Sequence, residues 1–175
     1  MLHRSCAGSA LVEFAVVAPV LILLLFGTIE IGVIFFLQST LQNAADDAAR
    51  MVRTGQVQSR NMTEAQYVAQ ICSEMTGIIA STTCNTKLEV DMEAFNSFSN
   101  ADYSNVFNAN GTINQNDLQF ETGDACDVVL VRAFYPWSIM TPMMAPLLQN
   151  IPNGQVLLMA GQAFRNEPYT AGATC

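Results

Sequence analysis

Histidine is almost missing from this chain. In 175 residues there is one, His3, and it stands in a short polar segment at the start. A folded domain built from the rest has no imidazole for acid–base work and no third member for a Ser-His-Asp or Cys-His arrangement. Basic residues are scarce too: 7 Lys and Arg stand against 15 Asp and Glu, for a net charge of −8. Only Arg50 and Arg53 lie close together, so no basic patch is available to neutralise phosphates, and nucleic-acid binding is not expected. The cysteines include no C-x-x-C pair, and no phosphate-cradling glycine loop occurs. An enzyme is therefore not expected, nor a metal or cofactor. Acids do cluster at Glu89, Asp91 and Glu93 and at Asp124 and Asp127. Alternation puts the first three on one face of a strand, where a solvated, solubilising surface is the expectation. Internal repeats are absent as well.

What the chain does have is a long apolar run. From Phe14 to Leu37 the only formal charge is Glu30. Crossing a hydrocarbon core of about 30 Å takes roughly 20 such residues. A cleaved secretory signal has a shorter apolar region, about 7–15 residues, ending at a small-residue site. A retained membrane helix is the reading the length favours. Arg4 precedes the run and Arg50 and Arg53 follow it, so the distribution of positive charge leaves the orientation open.

The cysteines bear on that orientation. Cys6 precedes the run; Cys72, Cys84, Cys126 and Cys175 follow it. Four beyond the membrane suit two disulfides in an oxidising compartment, with buried free thiols as the alternative. Of the three possible pairings, Cys72–Cys84 and Cys126–Cys175 is the expected one. The first closes a loop of about a dozen residues, worth roughly 3 kcal/mol, and the second ties down a tail that little else holds. Cys6 is expected to stay reduced in the cytoplasm or to be lost with the short segment that precedes the run.

The rest of the chain reads as an α+β domain. Leu41, Ala44, Ala45, Ala48, Met51 and Val52 continue the membrane helix as an amphipathic one, with Gly55 as its stop. Residues 9–54 as one helix would reach roughly 70 Å, about twice a membrane span. Thr63 and Gln66 form a capping box for a second helix, which Gly77 can end. Strands are expected over Thr86–Met92, Asp127–Tyr135 (ended by Pro136) and Gln155–Phe164, with a turn at Asn153-Gly154 and a helical turn begun by Thr141-Pro142. Residues 93–125 have a loop composition, but Phe95, Phe98, Tyr103, Phe107 and Phe120 should pin them to a core. The expected fold is a long membrane-spanning helix followed by a small domain with a second helix and a roughly three-stranded, mainly antiparallel sheet.

Two carboxylates, one at the head of the apolar run and one inside it, invite a functional reading. A charge deep in a bilayer costs roughly 2.5 kcal/mol or more and usually marks function. Glu13, near the start, can sit at the interface. If the chain is cut behind Gly8, Glu13 can instead pair with the new amino terminus of a neighbouring subunit. Glu30 has no basic residue nearby in its own helix. Protonation, a place at the outer interface and a partner helix are its three alternatives. Pro19 is tolerated in a membrane helix. Gly27 and Gly32 lack GxxxG spacing.

Gly8-Ser9-Ala10-Leu11-Val12-Glu13-Phe14 resembles the processing site of type IV-type prepilins: glycine before the cut, glutamate fifth after it, then an aromatic. The longer text from Val12 through Pro19, Gly27, Ile29-Glu30 and Gly32 to Ala48-Ala49-Arg50 resembles the TadE-like pseudopilins of tight-adherence (Flp-type) pilus systems. The ending Phe164-Arg165-Asn166-Glu167-Pro168-Tyr169 is similar to a C-terminal signature of that family. The resemblance implies a leader at 1–8 removed by a prepilin peptidase between Gly8 and Ser9, an assembly helix at 9–55 and a periplasmic domain at 56–175. It also implies a bacterial inner-membrane protein, N-terminus cytoplasmic, whose partners are other pilin or pseudopilin subunits. Glu13, Phe14 and Glu30 would make subunit contacts as it primes, joins or caps a pilus. The competing reading is a permanently anchored periplasmic binding or sensing domain that is neither cut nor assembled.

Overall fold

A computed structural model describes residues 7–101 and 106–175 of the chain. His3, Arg4, Cys6 and Tyr103 lie outside the described residues, and of Gly8 and Ser9 only the helical backbone is described. The element order is α1 (Ala7–Arg53), α2 (Gln56–Ser59), α3 (Glu64–Glu74), α4 (Ser81–Lys87), β1 (Glu89–Phe95), β2 (Val128–Ser138), α5 (Ala145–Leu148) and β3 (Gln155–Arg165). A short 3-10 turn, Phe98–Asn100, follows β1. The class is α+β.

α1 is continuous through Pro19 and changes character along its length. Up to Ile29 most of its large apolar side chains are exposed. From Leu37 on, Leu41, Ala44, Ala45, Ala48 and Val52 are buried at helical spacing. The alanines bring the helix axis close to the sheet, so this half of α1 belongs to the core of the domain. Arg50 and Arg53 occupy the last turn, where cations offset the helix dipole. Gly55 then takes φ +74°, the left-handed conformation that glycine adopts without penalty.

The sheet is antiparallel in the order β1-β2-β3. On one face Val90 and Met92, Val131, Ala133 and Tyr135, and Leu158 and Ala160 join the core formed with α1 and α3. α3 begins as the sequence indicates: the Thr63 hydroxyl accepts from Gln66 N–H, and the Gln66 side chain accepts from Thr63 N–H. Asn153 and Gly154 both have positive φ, as a tight hairpin turn demands.

Several boundaries differ from the sequence expectation, and β1 runs three residues past Met92 to Phe95, into the stretch expected to be loop. Thr86 and Lys87 end a helix, α4, and do not open β1. Its polar text, Ser-Thr-Thr-Cys-Asn-Thr-Lys, carries no helical periodicity; the Cys72–Cys84 bridge ties it to α3. Pro136 does not end β2, which runs on to Ser138. β1 stops at Glu89, opposite Phe134, so Pro136 pairs only with Leu157 of β3 and faces no strand on its other side. A missing N–H is tolerated at such an edge. The helical turn centres on Ala145–Leu148, with Pro146 in its first turn, a few residues after Thr141-Pro142.

The other face of the sheet is covered too, which corrects the expectation for the acids. Asp91 is fully buried and Glu93 nearly so. Residues 106–121 fold over this face: Phe107 meets Phe134 edge-to-face at 5.7 Å, and residues 119–121 hydrogen-bond alongside β1 at Met92. Phe120 reaches Tyr67 at 5.8 Å. Strand alternation identifies two faces but not whether the second is roofed. Phe98, in contrast, stays exposed.

Side-chain amides blunt the open edge of β3. Asn150 pairs with both backbone groups of Leu157, and Gln38 of α1 does the same at Met159. Each amide mimics a neighbouring strand at one residue, which protects an edge from pairing with other chains.

Candidate assembly helix and its anchor points

The sequence points to α1 as the working element, and the structure divides it. In its first half Leu11, Phe14, Val16, Val17, Val20, Leu21 and Leu24 are all exposed, Phe14 to 72%. No part of the described chain covers that surface, so a lipid or another subunit must. Glu13 shares the exposed face with Phe14. Helix α1 already includes Ala7, Gly8 and Ser9, so the Gly8–Ser9 junction lies in its first turn.

Glu30 has a different setting. It is 1% exposed although its neighbours Ile29 and Ile31 are open. Its carboxylate accepts hydrogen bonds from Met140 N–H at 3.0 and 3.2 Å, from Thr141 N–H at 3.0 Å and from the Thr141 hydroxyl at 3.0 Å. These donors come from the β2–β3 connection, 110 residues further on. None of the three alternatives drawn from sequence included a partner within the same chain. The carboxylate acts as an anion cap for a turn, and the turn satisfies the carboxylate. Charge-assisted bonds of this kind are roughly twice as strong as neutral ones. Losing the acceptor would strand buried donors at about 1–3 kcal/mol each.

One signal in the sequence marks the Glu30 partner. From Ala133 to Phe164 the chain carries no charged residue, although the domain as a whole is acidic. That stretch contains the whole β2–β3 connection.

The far end of α1 is fastened by the C-terminal tail. Glu167 N–H donates to the carbonyl of Arg53 at 2.9 Å, and Arg53 Nε lies 3.2 Å from Glu167 Oε1. The Tyr169 ring occupies the space where a Cβ on Gly55 would point, and its hydroxyl donates to Gly123 O at 3.2 Å. Burial, then the charges of Asp124 and Asp127, push that phenol above its ordinary pKa. Asn166 is buried and its amide donates to the carbonyls of Thr122 and Asp124. The segment Asn166-Glu167-Pro168-Tyr169 is therefore a latch between the helix end, the 122–124 loop and β3. The Cys126–Cys175 bridge closes the tail behind it, while Cys72–Cys84 joins α3 to α4.

The remaining buried polar cluster lies within the sheet. Arg132 of β2 reaches Asp91 at 2.7 Å and Glu93 at 2.7 Å on β1. The second oxygen of Asp91 accepts from Gln119 N–H at 2.9 Å. Buried ion clusters are a weak source of net stability, but breaking one is costly. This one ties the covering segment to β1. Among the described residues no group of three or more His, Cys, Asp or Glu is arranged to hold a metal ion.

A continuous helix with a lipid-type first half, an acid near its start and an alanine-rich second half that docks on a sheet can now be compared with known families. Residues 8–50 match the TadE-like protein family. The matched stretch is α1 almost from end to end, so it includes Glu13, Phe14, Glu30 and the alanine stripe. Beyond the TadE-like segment, comparison with curated proteins and with solved structures gives no match. At family level the TadE-like segment suggests a pilus-related minor pilin, and implies pilin partners and association with a membrane. Among the described residues one helix, Ala10–Arg53, is long and apolar enough to cross a membrane, which fits a single-pass anchor.

Proposed function

We propose that this protein is a minor pilin, or pseudopilin, of a tight-adherence pilus. The inner membrane holds it through the first half of α1, with the domain on the periplasmic side, until it is assembled. The observation that carries this reading is the TadE-like match over a helix whose first half is apolar and uncovered while its second half is built into the domain. Such a helix serves two media: lipid before assembly, and the helices of other subunits after it. A prepilin peptidase cuts between Gly8 and Ser9. Glu13 then pairs with the new amino terminus of a neighbouring subunit and sets its axial register, with Phe14 packing beside it. The subunit primes, joins or caps the fibre. Its work is structural, and no catalysis is assigned to it.

The reading is tested by mass spectrometry of the protein extracted from membranes of cells carrying its own peptidase. A mature chain starting at Ser9 is the expected result. An intact leader throughout would instead make the protein a permanent anchor for a periplasmic binding or sensing domain. Glu13→Ala separates the two further: membrane insertion is retained and pilus output falls.

A further inference from the structure

The connection between β2 and β3 has an unusual surface for a domain in water. Met140, Met143 and Leu147 are all largely exposed, the last two to 71% and 76%. No charged side chain occurs anywhere from Ala133 to Phe164. The connection also folds back along α1. Its turn is held by Glu30, Met144 lies against Gly27, and an apolar cleft of about 440 Å³ opens between Pro19, Ile22, Leu23 and Phe26 of the helix and Pro142 and Met143 of the turn.

We infer that this turn, from Ile139 to Leu148, is a second membrane-inserted element that lies in the outer half of the same bilayer that α1 crosses, with lipid acyl chains covering its methionines and leucine and entering the cleft. The inference rests on the reading of α1 as a membrane anchor. Axial position is the first argument. From Leu11 to Glu30 the helix rises roughly 28 Å, close to one hydrocarbon thickness. The turn meets α1 between Pro19 and Glu30, the outer roughly 16 Å of that rise. Val20, Leu21, Leu24 and Leu25 are exposed at the same levels. Whatever medium surrounds them must also meet Met143, which lines the cleft with Pro19, Ile22, Leu23 and Phe26.

Backbone accounting is the second argument. Irregular chain is tolerated at membrane depth only where its polar groups are satisfied within the protein. Here Glu30 takes the N–H groups of Met140 and Thr141. The carbonyls of Thr141, Pro142, Met144 and Ala145 take those of Met144, Ala145, Leu147, Leu148 and Gln149, so that among the N–H groups of the turn from Met140 to Gln149 only that of Met143 is left over. Pro142 and Pro146 have no N–H to satisfy. The carboxylate of Glu30 is thereby shielded inside the protein, so its presence in the apolar run does not put a bare charge in lipid.

The test uses the full chain in vesicles of phosphatidylethanolamine and phosphatidylglycerol that contain phosphatidylcholine brominated at defined depths. Trp137 is the only tryptophan. In a Trp137→Phe background, single tryptophans are placed by Leu21→Trp, Met143→Trp and Arg60→Trp. The expected result is bromine quenching of Leu21→Trp and Met143→Trp, and none of Arg60→Trp, which is exposed beyond the far end of α1. Quenching of Leu21→Trp without Met143→Trp would overturn this inference and leave the anchor standing. Absence of quenching at Leu21→Trp would overturn both. The unmutated chain gives an independent readout: hydroxyl radicals generated in the water should spare Met143 in vesicles while oxidising Met159, which is exposed on β3. Equal oxidation of the two would sink the inference even if the tryptophan variants failed to fold.

Discussion

The two halves of α1 use the same secondary structure under opposite rules. Before Ile31 the helix is apolar on nearly every side, and most of that surface is uncovered within the chain. After Leu37 it is amphipathic, with an alanine stripe buried on the sheet and polar residues outward. The first half depends on its medium, and the second depends on tertiary packing. A change inside the domain should therefore melt residues 37–53 along with it and leave the lipid-borne half helical. A change on the lipid face should barely register in the melting of the domain.

The largest effect should come from Arg132→Ala. It leaves Asp91 and Glu93 buried side by side without the guanidinium between them, at a cost of about 3–5 kcal/mol. Circular dichroism of the protein in detergent should show the sheet signal lost at a much lower temperature, with a helical residue from the first half of α1. Complete loss of helix in the same transition would break the comparison.

Opening the Cys126–Cys175 bridge comes next. It spans 49 residues and stabilises by about 4 kcal/mol in the chain-entropy account, against roughly 3 kcal/mol for Cys72–Cys84 with its separation of 12. Cys175→Ser is expected to lower the denaturant midpoint more than Cys84→Ser. Hydrogen exchange should locate the Cys175→Ser damage at the end of α1, where Glu167 and Tyr169 are latched. The reverse order would mean that the tail is held by its side-chain contacts alone.

Gly55→Ala tests that latch directly. The left-handed backbone and the overlap with the Tyr169 ring should together cost about 1–3 kcal/mol, read as a shift in thermal midpoint. Gly32→Ala, which meets open space in the other half of the helix, is the matched control and should be neutral or slightly stabilising.

The smallest effect concerns pH. Burial pushes the Tyr67 phenol well above its ordinary value of 10.0. A raised folded-state pKa means that stability is whole below the unfolded value and is lost as pH rises beyond about 10. Tyr67→Phe should flatten part of that alkaline loss. Its hydroxyl has no hydrogen-bond partner among the described residues, so the change at neutral pH should stay within about 1 kcal/mol. An unchanged alkaline slope would assign the loss to other groups.

Sequence alone was enough for the features that depend on neighbours along the chain. The length of the apolar run, the stop at Gly55, the Thr63–Gln66 box and the turn at Asn153-Gly154 each follow from residues a few positions apart, and hydrogen-bond geometry makes such signals local. Tertiary structure alone decided the fate of the acids. Asp91 and Glu93 alternate like a solvated face, and only the folding of residues 106–121 over the sheet buries them. Glu30 reads as a bare charge in an apolar helix until Met140 and Thr141 arrive from 110 residues away. Pro136 reads as a strand end until the length of β1 shows that its missing N–H faces no partner. Each of these depends on what covers a surface, and coverage is a property of distant segments meeting in space, which local periodicity does not encode.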